Sequence, residues 1–274
     1  MAHPDRPIAF VLASTNHGSM IVNRHDYRMD GADRGIGVGW QLLSHSSFDP
    51  KEVAIALALL DKRRKYFGNG VVAIDGGANI GVHTVEWARH MAGWGSVVAF
   101  EAQEFVFYAL AGNIALNNCL NARARFAALG ETTGDIAIPQ PNYLQPASFG
   151  SLELRAREGN EDIGQPVSYA AEKMATVPLV NLDAMNIGRL DLLKLDIEGM
   201  EIEALRGARE TLQRHKPALL VEVIKSDEAA IGELLAQLGY RSHRVGMNIV
   251  ATHESDPTQV ALKHHGKRVD LTIG

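Results

Sequence analysis

The run Val71-Val72-Ala73-Ile74-Asp75-Gly76-Gly77-Ala78-Asn79-Ile80-Gly81 decides the fold. Its first four residues are apolar and bounded by turn signals, as in a strand buried inside a parallel sheet. The glycines then turn the chain, and a helix is predicted from about Gly81 to Met91. A buried strand that leads through a tight turn into a helix is typical of a βαβ unit.

Strands and helices continue to alternate after this stretch. The further predicted strands are Val97–Phe100, Arg125–Leu129, Leu190–Leu195, Ala218–Val223 and a final antiparallel pair, Arg241–Val245 and Asn248–Thr252. The further predicted helices run from about Glu104 to Asn118, from about Gly199 to Arg214 and through Ile231–Leu238. Such alternation indicates parallel strands joined by right-handed crossovers. The predicted fold class is therefore α/β, with a Rossmann-like, doubly wound, mostly parallel sheet.

Residues 1–67 are predicted to form an N-terminal accessory segment. The strand-like runs Ile8–Ala13 and Ser19–Asn23 flank a turn signal in this segment. A helix follows, for which Asp49 is the predicted cap and Glu52 occupies the capping-box position.

The remaining chain, residues 68–274, is predicted to be a Rossmann-like domain with an insertion at about 131–180. The insertion interrupts the alternation with extended runs at Asp135–Ile138, Gly150–Leu154 and Thr176–Leu182, and prolines separate them. We predict that it carries its own strands and lies as a hairpin over the sheet.

Composition and charge narrow the function. The chain has 274 residues, 46% of them hydrophobic, and a net charge of −5, so it lacks the basic excess of nucleic-acid and membrane-surface binders. Its single cysteine, Cys119, excludes an intrachain disulfide and fits a reducing compartment. Met1–Pro7 lacks the features of a signal peptide, and the apolar runs are shorter than the ~20 residues of a membrane span. We expect a cytoplasmic protein that binds neither nucleic acid nor membranes.

The glycine turn is predicted to bind a cofactor. Gly77 lets the backbone approach a ligand closely, and Gly81 permits close packing of the helix on the strand. Asn79 stands where a dinucleotide fingerprint has its middle glycine, and asparagine tolerates the left-handed backbone conformation. Gly76 and Ala78 complete the turn, and the helix start supplies free amide donors.

Two acidic residues indicate which ligand the turn holds. Asp75, directly before the glycines, would repel a pyrophosphate but suits a ligand with an ammonium group, such as the methionine part of S-adenosylmethionine. Glu101 directly follows the second predicted strand, where an acid can accept hydrogen bonds from ribose hydroxyls.

A second acidic cluster follows the strand that ends at Leu195. Asp196 and Glu198 are predicted to position a substrate or to accept a proton from its hydroxyl group. Together with Glu201 they could instead share a hard divalent cation, although we favour the roles without a metal. Glu201 could also simply stabilise the start of the next helix through the helix dipole. His83, on the first helix after the glycine turn, is a further candidate base, or a packed side chain.

The chain resembles the FkbM-type methyltransferases over roughly residues 68–252. The resemblance is carried by Asp75–Gly81 with His83-Thr84, Phe100-Glu101, Leu193–Glu201, Leu205–Ala208, and Pro217 with Glu222. It implies the seven-stranded Rossmann-like methyltransferase fold and methyl transfer from S-adenosylmethionine, commonly to oxygen, with S-adenosylhomocysteine as product. Relatives often have a proline after the ribose-side acid, where this chain has Ala102.

The sequence therefore predicts an S-adenosylmethionine-dependent methyltransferase that methylates a hydroxyl group of a small molecule, such as a sugar or another natural product. Asp196 or Glu198 is the first candidate for the general base, and His83 is the second. An NAD-dependent oxidoreductase is an alternative, because Glu101 could hold the ribose of NAD equally well. A catalytically silent cofactor-binding module is another. The sequence is compatible with a homo-oligomer.

Overall fold

The chain alternates between strands and helices through most of its length. The computed structural model describes residues 6–31, 34–265 and 268–274, so Met1–Asp5 of the predicted N-terminal segment lie outside the described residues. The elements of the N-terminal segment are β1 (Phe10–Thr15), β2 (Gly18–Asn23), β3 (Arg28–Asp30), β4 (Arg34–Ile36), α1 (Val38–His45) and α2 (Pro50–Phe67). The next elements are β5 (Val71–Gly76), α3 (Val82–His90), β6 (Gly95–Glu101), α4 (Glu104–Leu116), β7 (Ala122–Phe126), β8 (Ala128–Leu129), β9 (Gly134–Pro139) and β10 (Met174–Val180). The last are β11 (Leu192–Leu195), α5 (Glu201–Arg206), α6 (Arg209–His215), β12 (Ala218–Glu222), α7 (Glu228–Gln237), β13 (Tyr240–Val245), β14 (Asn248–His253), β15 (Val260–His265) and β16 (Arg268–Ile273).

The largest sheet has seven strands in the order β13-β14-β12-β11-β5-β6-β7. The strands from β12 to β7 are parallel, and β14 runs antiparallel to both β12 and β13. The chain leaves β5 toward β6 and β7, and later continues on the other side of β5 with β11. The strand order therefore reverses between β5 and β11, where a doubly wound sheet forms its ligand crevice. The predicted fold class is confirmed.

Apolar residues cover both faces of this sheet. One core cluster contains side chains of α5, α6 and α7, and the other contains side chains of α2, α3, α4 and β2. The central strands are consequently buried on both faces, as their continuous apolar runs predict. Among the described residues, no helix combines the length and the apolar character needed to cross a membrane.

The N-terminal segment packs against the same core. Its two predicted strands are confirmed as the antiparallel hairpin β1–β2. The backbone of Ile21 in β2 is bound by the fully buried Asn113 of α4, which accepts from the Ile21 N–H at 2.5 Å and donates to its carbonyl at 3.2 Å. This pairing fixes the hairpin on the helix and satisfies backbone groups that would otherwise be buried without partners.

The insertion carries strands, as predicted. β9 pairs antiparallel with β10, and β10 pairs parallel with β8, so these strands form a separate three-stranded sheet. The prediction of an extended run at Gly150–Leu154 is wrong, because residues Phe149–Ser151 form a 3-10 turn.

Two other predicted elements differ from the structure. The predicted helix from Gly199 to Arg214 is divided into α5 and α6 around Gly207. A side chain at Gly207 would lie 2.2 Å from the Gly130 carbonyl oxygen, so another backbone crosses where the helix breaks. The third strand, predicted at Arg125–Leu129, is divided between β7 and β8, which belong to different sheets.

The turns after β5 and β11 touch each other. The amide of Asp196 donates to the Gly76 carbonyl at 3.1 Å, which extends the pairing of the two strands by one bond. A Cβ atom on Gly77 would lie 1.8 Å from the Asp196 carbonyl oxygen. Gly77 also has a φ of +74°, a region that side chains disfavour. Glycine is therefore required here by close backbone contact as well as by conformation.

Gly77→Ala should lower the free energy of unfolding by roughly 3 kcal/mol or more, because overpacking against Asp196 adds to the cost of the left-handed conformation. Gly93 offers a matched control: its φ is +79°, and no described atom lies within 4 Å of the position that a Cβ atom would take there. Gly93→Ala should cost only ~1–2 kcal/mol, the conformational part alone. Urea unfolding of both variants measures the difference. Equal losses would show that the contact with Asp196 adjusts without cost.

Candidate functional site

A cavity of about 710 Å³ opens at the carboxyl ends of β5, β6, β11 and β12. The turns after these strands form its floor, and the N-terminal segment and the insertion form its walls. The wall residues include Arg28, Trp40, Gln41, Phe48, Asp49, Glu52, Ser148, Ser151, Leu152 and Glu161. Asp26 joins the two walls, because its buried carboxylate accepts from the amides of Gly39 and Phe149, each at 2.9 Å.

The amides of the glycine turn already have partners within the protein. Gly77 and Ala78 both donate to the Phe100 carbonyl, at 3.0 and 2.9 Å. The next two amides are bound by side chains: Asn79 N–H donates to Glu101 at 2.9 Å, and Ile80 N–H donates to the Asn79 side-chain oxygen at 2.7 Å. The amides of the turn itself, from Gly77 to Ile80, are therefore occupied, while the helix start for which free donors were predicted follows at Val82. Asn79 has the left-handed conformation that was predicted, with a φ of 51°.

Four of the seven residues predicted to hold a cofactor line the cavity, namely Gly77, Ala78, Asn79 and Glu101. Gly76 lies below the surface, where a Cβ atom would approach Leu129 and Leu195. Gly81 faces helix α4, since its Cβ would lie 2.6 Å from Leu110. Gly81 therefore permits helix-on-helix packing, where the sequence predicted helix-on-strand packing.

Asp75 also lies beneath the cavity and is fully buried. Its Oδ2 accepts from the Thr84 hydroxyl at 2.6 Å, and the cation beside its Oδ1 is Lys194, at 3.9 Å. The sequence predicted that Asp75 receives the ammonium group of a ligand, but the structure places a lysine of the protein there. Burial raises the pKa of Asp75, and Lys194 opposes this shift.

Glu101 stands at the end of β6, on the cavity wall. Its carboxylate accepts from the amides of Asn79 and Gln103, at 2.9 and 2.8 Å, and thereby connects the glycine turn with the loop after β6. Only 6% of the residue is exposed, and burial raises its pKa to about 7. The carboxylate is a hydrogen-bond acceptor at the position where the sequence predicted a ribose-binding acid.

Asp196 and Glu198 belong to the turn that follows β11. The Oδ2 atom of Asp196 lies 3.0 Å from the Lys194 ammonium, while 33% of its side chain remains exposed. Glu198 has a left-handed φ of 56° and lies 2.5 Å from the Lys225 ammonium. Burial, followed by repulsion from Asp196, raises the pKa of Glu198. The structure thus brings both predicted acids to the cavity, with Asp196 the more accessible.

Glu222, at the end of β12, joins these two acids. Carboxylate oxygens of Asp196, Glu198 and Glu222 lie within 4.8 Å of one another, a spacing that could hold a metal ion. Glu201, which the sequence grouped with them, has a structural role: it accepts from the amides of Ile197 and Gly199 and so supports the turn. Burial and repulsion from Asp196 raise the pKa of Glu222.

Lys194 is the residue that the sequence prediction missed. It occupies the middle of β11, in the run Leu192–Leu195, every residue of which is buried. Burial alone would lower its pKa, but Asp196, Asp75 and Glu52 together raise it, so the side chain is a buried cation. A lysine within a buried strand requires counter-charges nearby. The lysine in an otherwise apolar predicted strand was therefore the sequence signal that could have identified Lys194.

The start of α2 contributes to the cavity instead of forming a capping box. Asp49 makes no side-chain bond to the helix, and Glu52 accepts from the Asn248 side chain at 2.7 Å. Glu52 also lies 3.3 Å from the Nε2 atom of His83. The His83 ring is almost fully buried, next to Phe48, and burial holds its pKa well below the usual value. His83 is therefore a neutral imidazole on the cavity wall.

Comparison with known proteins relates the chain to methyltransferases. Residues 75–242 match the model of the methyltransferase FkbM domain. The chain is also similar to Methyltransferase 1 of Beauveria bassiana, with 26% identity over 177 residues, which cover 61% of this chain and 71% of that protein. The family match begins at Asp75 and includes all four turns that form the cavity floor.

Solved structures show weaker similarity. The methyltransferase FkbM of Methylobacillus flagellatus KT is 17% identical with a TM-score of 0.45, covering 78% of this chain and 48% of that one. The tRNA (uracil-54, C5)-methyltransferase of Pyrococcus abyssi, solved in complex with S-adenosyl-L-homocysteine, is 12% identical with a TM-score of 0.42, covering 89% of this chain and 44% of that one. This chain spans less than half of the length of either.

Glu222→Gln should stabilise the protein, because an amide removes the repulsion among three neighbouring carboxyl groups. The pKa of Glu222 is higher in the folded state than in the unfolded state. The wild type therefore loses stability as the pH rises from the unfolded-state pKa of Glu222 toward its folded-state pKa. The advantage of the variant should therefore be larger at pH 8 than at pH 5. Thermal unfolding at both pH values measures it, with Glu233→Gln at an exposed position as control. Lower stability of Glu222→Gln in a magnesium buffer, but not in EDTA, would identify the cluster as a metal site.

Proposed function

Because the family model spans more than half of it, this chain belongs to the FkbM methyltransferase family, and we propose that it transfers a methyl group from S-adenosylmethionine to a hydroxyl group of a small molecule. Membership makes the chain a methyltransferase. The proposals for the methyl donor and for the acceptor rest on the cavity, and above all on the presence of Glu101 and Asp196 in its lining, after two different strands.

The cavity suits S-adenosylmethionine in size and in charge. Its volume of about 710 Å³ lies within the ~300–1,000 Å³ of small-molecule sites. Seven carboxyl groups and four Lys or Arg side chains line it, so its formal charge is negative, which suits a cation such as a sulfonium. Burial raises the pKa of several of these acids and makes the charge smaller than this count. Gly77, Ala78 and Asn79 would lie along the methionine part, and Glu101 would accept hydrogen bonds from the ribose hydroxyls.

The acids of the β11 turn supply the chemistry that an oxygen acceptor needs. S-adenosylmethionine supplies the methyl group when it is bound. A hydroxyl group that is methylated must lose its proton, and a carboxylate can accept it. Both acids are paired with a lysine, Asp196 with Lys194 and Glu198 with Lys225. Asp196 is the better placed base because a third of its side chain is exposed, against 15% of that of Glu198. His83 remains the second candidate because its ring lines the cavity, and it is the weaker one because burial opposes protonation of the ring and lowers its pKa.

The occupied amides of the glycine turn argue against the NAD-dependent alternative. A pyrophosphate is held by free amides at the start of the helix after the first strand. Here the amides of Gly77, Ala78, Asn79, Ile80 and Gly81 all donate to acceptors of the protein. Asp75 adds negative charge below the same turn. Both features favour S-adenosylmethionine over a dinucleotide.

The N-terminal segment, residues 1–67 in the proposed division, would serve as part of the acceptor site. Trp40, Phe48, Asp49 and Glu52 line the cavity. Aromatic rings and carboxyl groups of this kind suit a small acceptor that carries both apolar and hydroxyl surfaces. A small molecule, in preference to a nucleic acid, is therefore the proposed partner.

The proposal is tested first by ligand binding. S-adenosylhomocysteine at 100 times its dissociation constant should stabilise the protein by about 2.7 kcal/mol, and NAD should leave the melting temperature unchanged. A shift with NAD alone would favour the oxidoreductase. A screen of hydroxylated acceptors with labelled S-adenosylmethionine then distinguishes an enzyme from a silent binding module.

Glu101→Ala should weaken the binding of S-adenosylhomocysteine by ~1–3 kcal/mol, the cost of losing a charged hydrogen-bond partner. Isothermal titration calorimetry measures the change. The exposed Glu104, on the outside of α4, provides the control variant Glu104→Ala, which should bind as the wild type does. Circular dichroism establishes that both variants are folded. Equal affinity of the two would remove Glu101 from the cofactor site.

Asp196→Asn should leave the affinity for S-adenosylhomocysteine near the wild-type value while turnover of an acceptor falls by ~10²-fold or more, the usual scale of proton-transfer catalysis. The amide preserves the shape of the side chain and removes its charge. Loss of cofactor binding in this variant would place Asp196 beside the methionine part instead. If EDTA abolishes the activity of the wild type and magnesium restores it, the carboxylates act as metal ligands.

A further inference from the structure

The ammonium group of Lys194 is buried at the cavity, within 4 Å of carboxylate oxygens of both Asp75 and Asp196. Only 3% of its side chain is exposed. It donates to the Oδ2 atom of Asp196 at 3.0 Å and lies 3.9 Å from the Oδ1 atom of Asp75. Lys194 and Asp75 are directly paired residues of β11 and β5, so the register of the two strands sets this arrangement.

A buried cation is costly unless carboxylates surround it. Lys194 faces Asp75 from β5, Asp196 from its own turn and Glu52 from α2. Its removal would leave several carboxyl groups close together without a counter-charge. Asp75 depends on it in particular, because its Oδ1 atom is buried and accepts no hydrogen bond from the described residues.

We propose that Lys194 is a positioning residue, whose buried ammonium is the shared counter-ion of Asp75 and Asp196 and holds both acids in place on the two sides of the cavity floor. Asp196 is thereby fixed where it can contact the hydroxyl group of the acceptor, while Asp75 is fixed below the glycine turn. The role in catalysis rests on the proposed function, but the electrostatic role does not. The contact between Gly77 and Asp196 transmits any displacement of one turn to the other.

The first test measures thermal unfolding without a ligand. Lys194→Met keeps the length of the side chain and removes its charge, and it should lower the melting temperature on the order of 10 °C. Adding Asp75→Asn or Asp196→Asn to Lys194→Met should recover part of this loss, because each removes one of the unbalanced charges. If removing the charge of Asp75 or Asp196 restores part of the melting temperature, Lys194 acts as a counter-ion and not only through packing. If the single variant does not fold, the double variants still show whether the charges must balance.

The second test measures cofactor binding at a temperature where all variants are folded. Lys194→Met should bind S-adenosylhomocysteine at least ~10-fold more weakly, because it leaves the buried Asp75 below the glycine turn without a counter-charge, whereas Asp196→Asn keeps that counter-charge. Lys173→Met, at an exposed position, is the control and should match the wild type. The proposal is overturned if Lys194→Met matches this control in both tests, or if neither double variant regains stability. A wild type that does not bind S-adenosylhomocysteine would overturn the proposed function and leave the first test intact.

Discussion

The contact between the backbones of Gly77 and Asp196 is the constraint on which the site depends. A Cβ atom on Gly77 would overlap the Asp196 carbonyl oxygen, so the two turns can meet only because one of them lacks a side chain. The pairing of β5 with β11 brings the turns together, and it also sets Asp75 opposite Lys194. The floor of the cavity, its buried charges and the exposure of Asp196 all follow from the register of these two strands.

The buried carboxyl groups of the cavity lower the stability of the folded protein. Burial raises the pKa of Glu52 and Glu101 to about 7 each, and it acts in the same direction on Glu198 and Glu222. Side chains selected for folding alone would avoid this arrangement, since a buried carboxyl without a cation costs free energy. Perturbed groups concentrated in one cavity are typical of sites that transfer protons or bind charged ligands.

The sequence was sufficient for features that local patterns determine. The apolar runs and glycines predicted the βαβ order, the left-handed Asn79 and the placement of Asp196 and Glu198 at one edge of the sheet. It was insufficient where distant segments decide the geometry. Glu52 fits a capping box locally, but it lines the cavity because α2 packs against β5 and β11, and Asn248 of β14 donates to it. Glu222 replaces Glu201 in the acid cluster for the same reason, because only the folded sheet places β12 next to β11.

The glycine turn satisfies its own amides through the Phe100 carbonyl, the Glu101 carboxylate and the Asn79 side chain. A turn of this kind keeps its shape whether or not a ligand is present. The entropic cost of ordering it is therefore met during folding and not during binding. Exchange of S-adenosylhomocysteine for S-adenosylmethionine would then leave the floor of the cavity unchanged. Any movement that opens the cavity between catalytic cycles would have to come from its walls, the N-terminal segment and the insertion, which Asp26 joins.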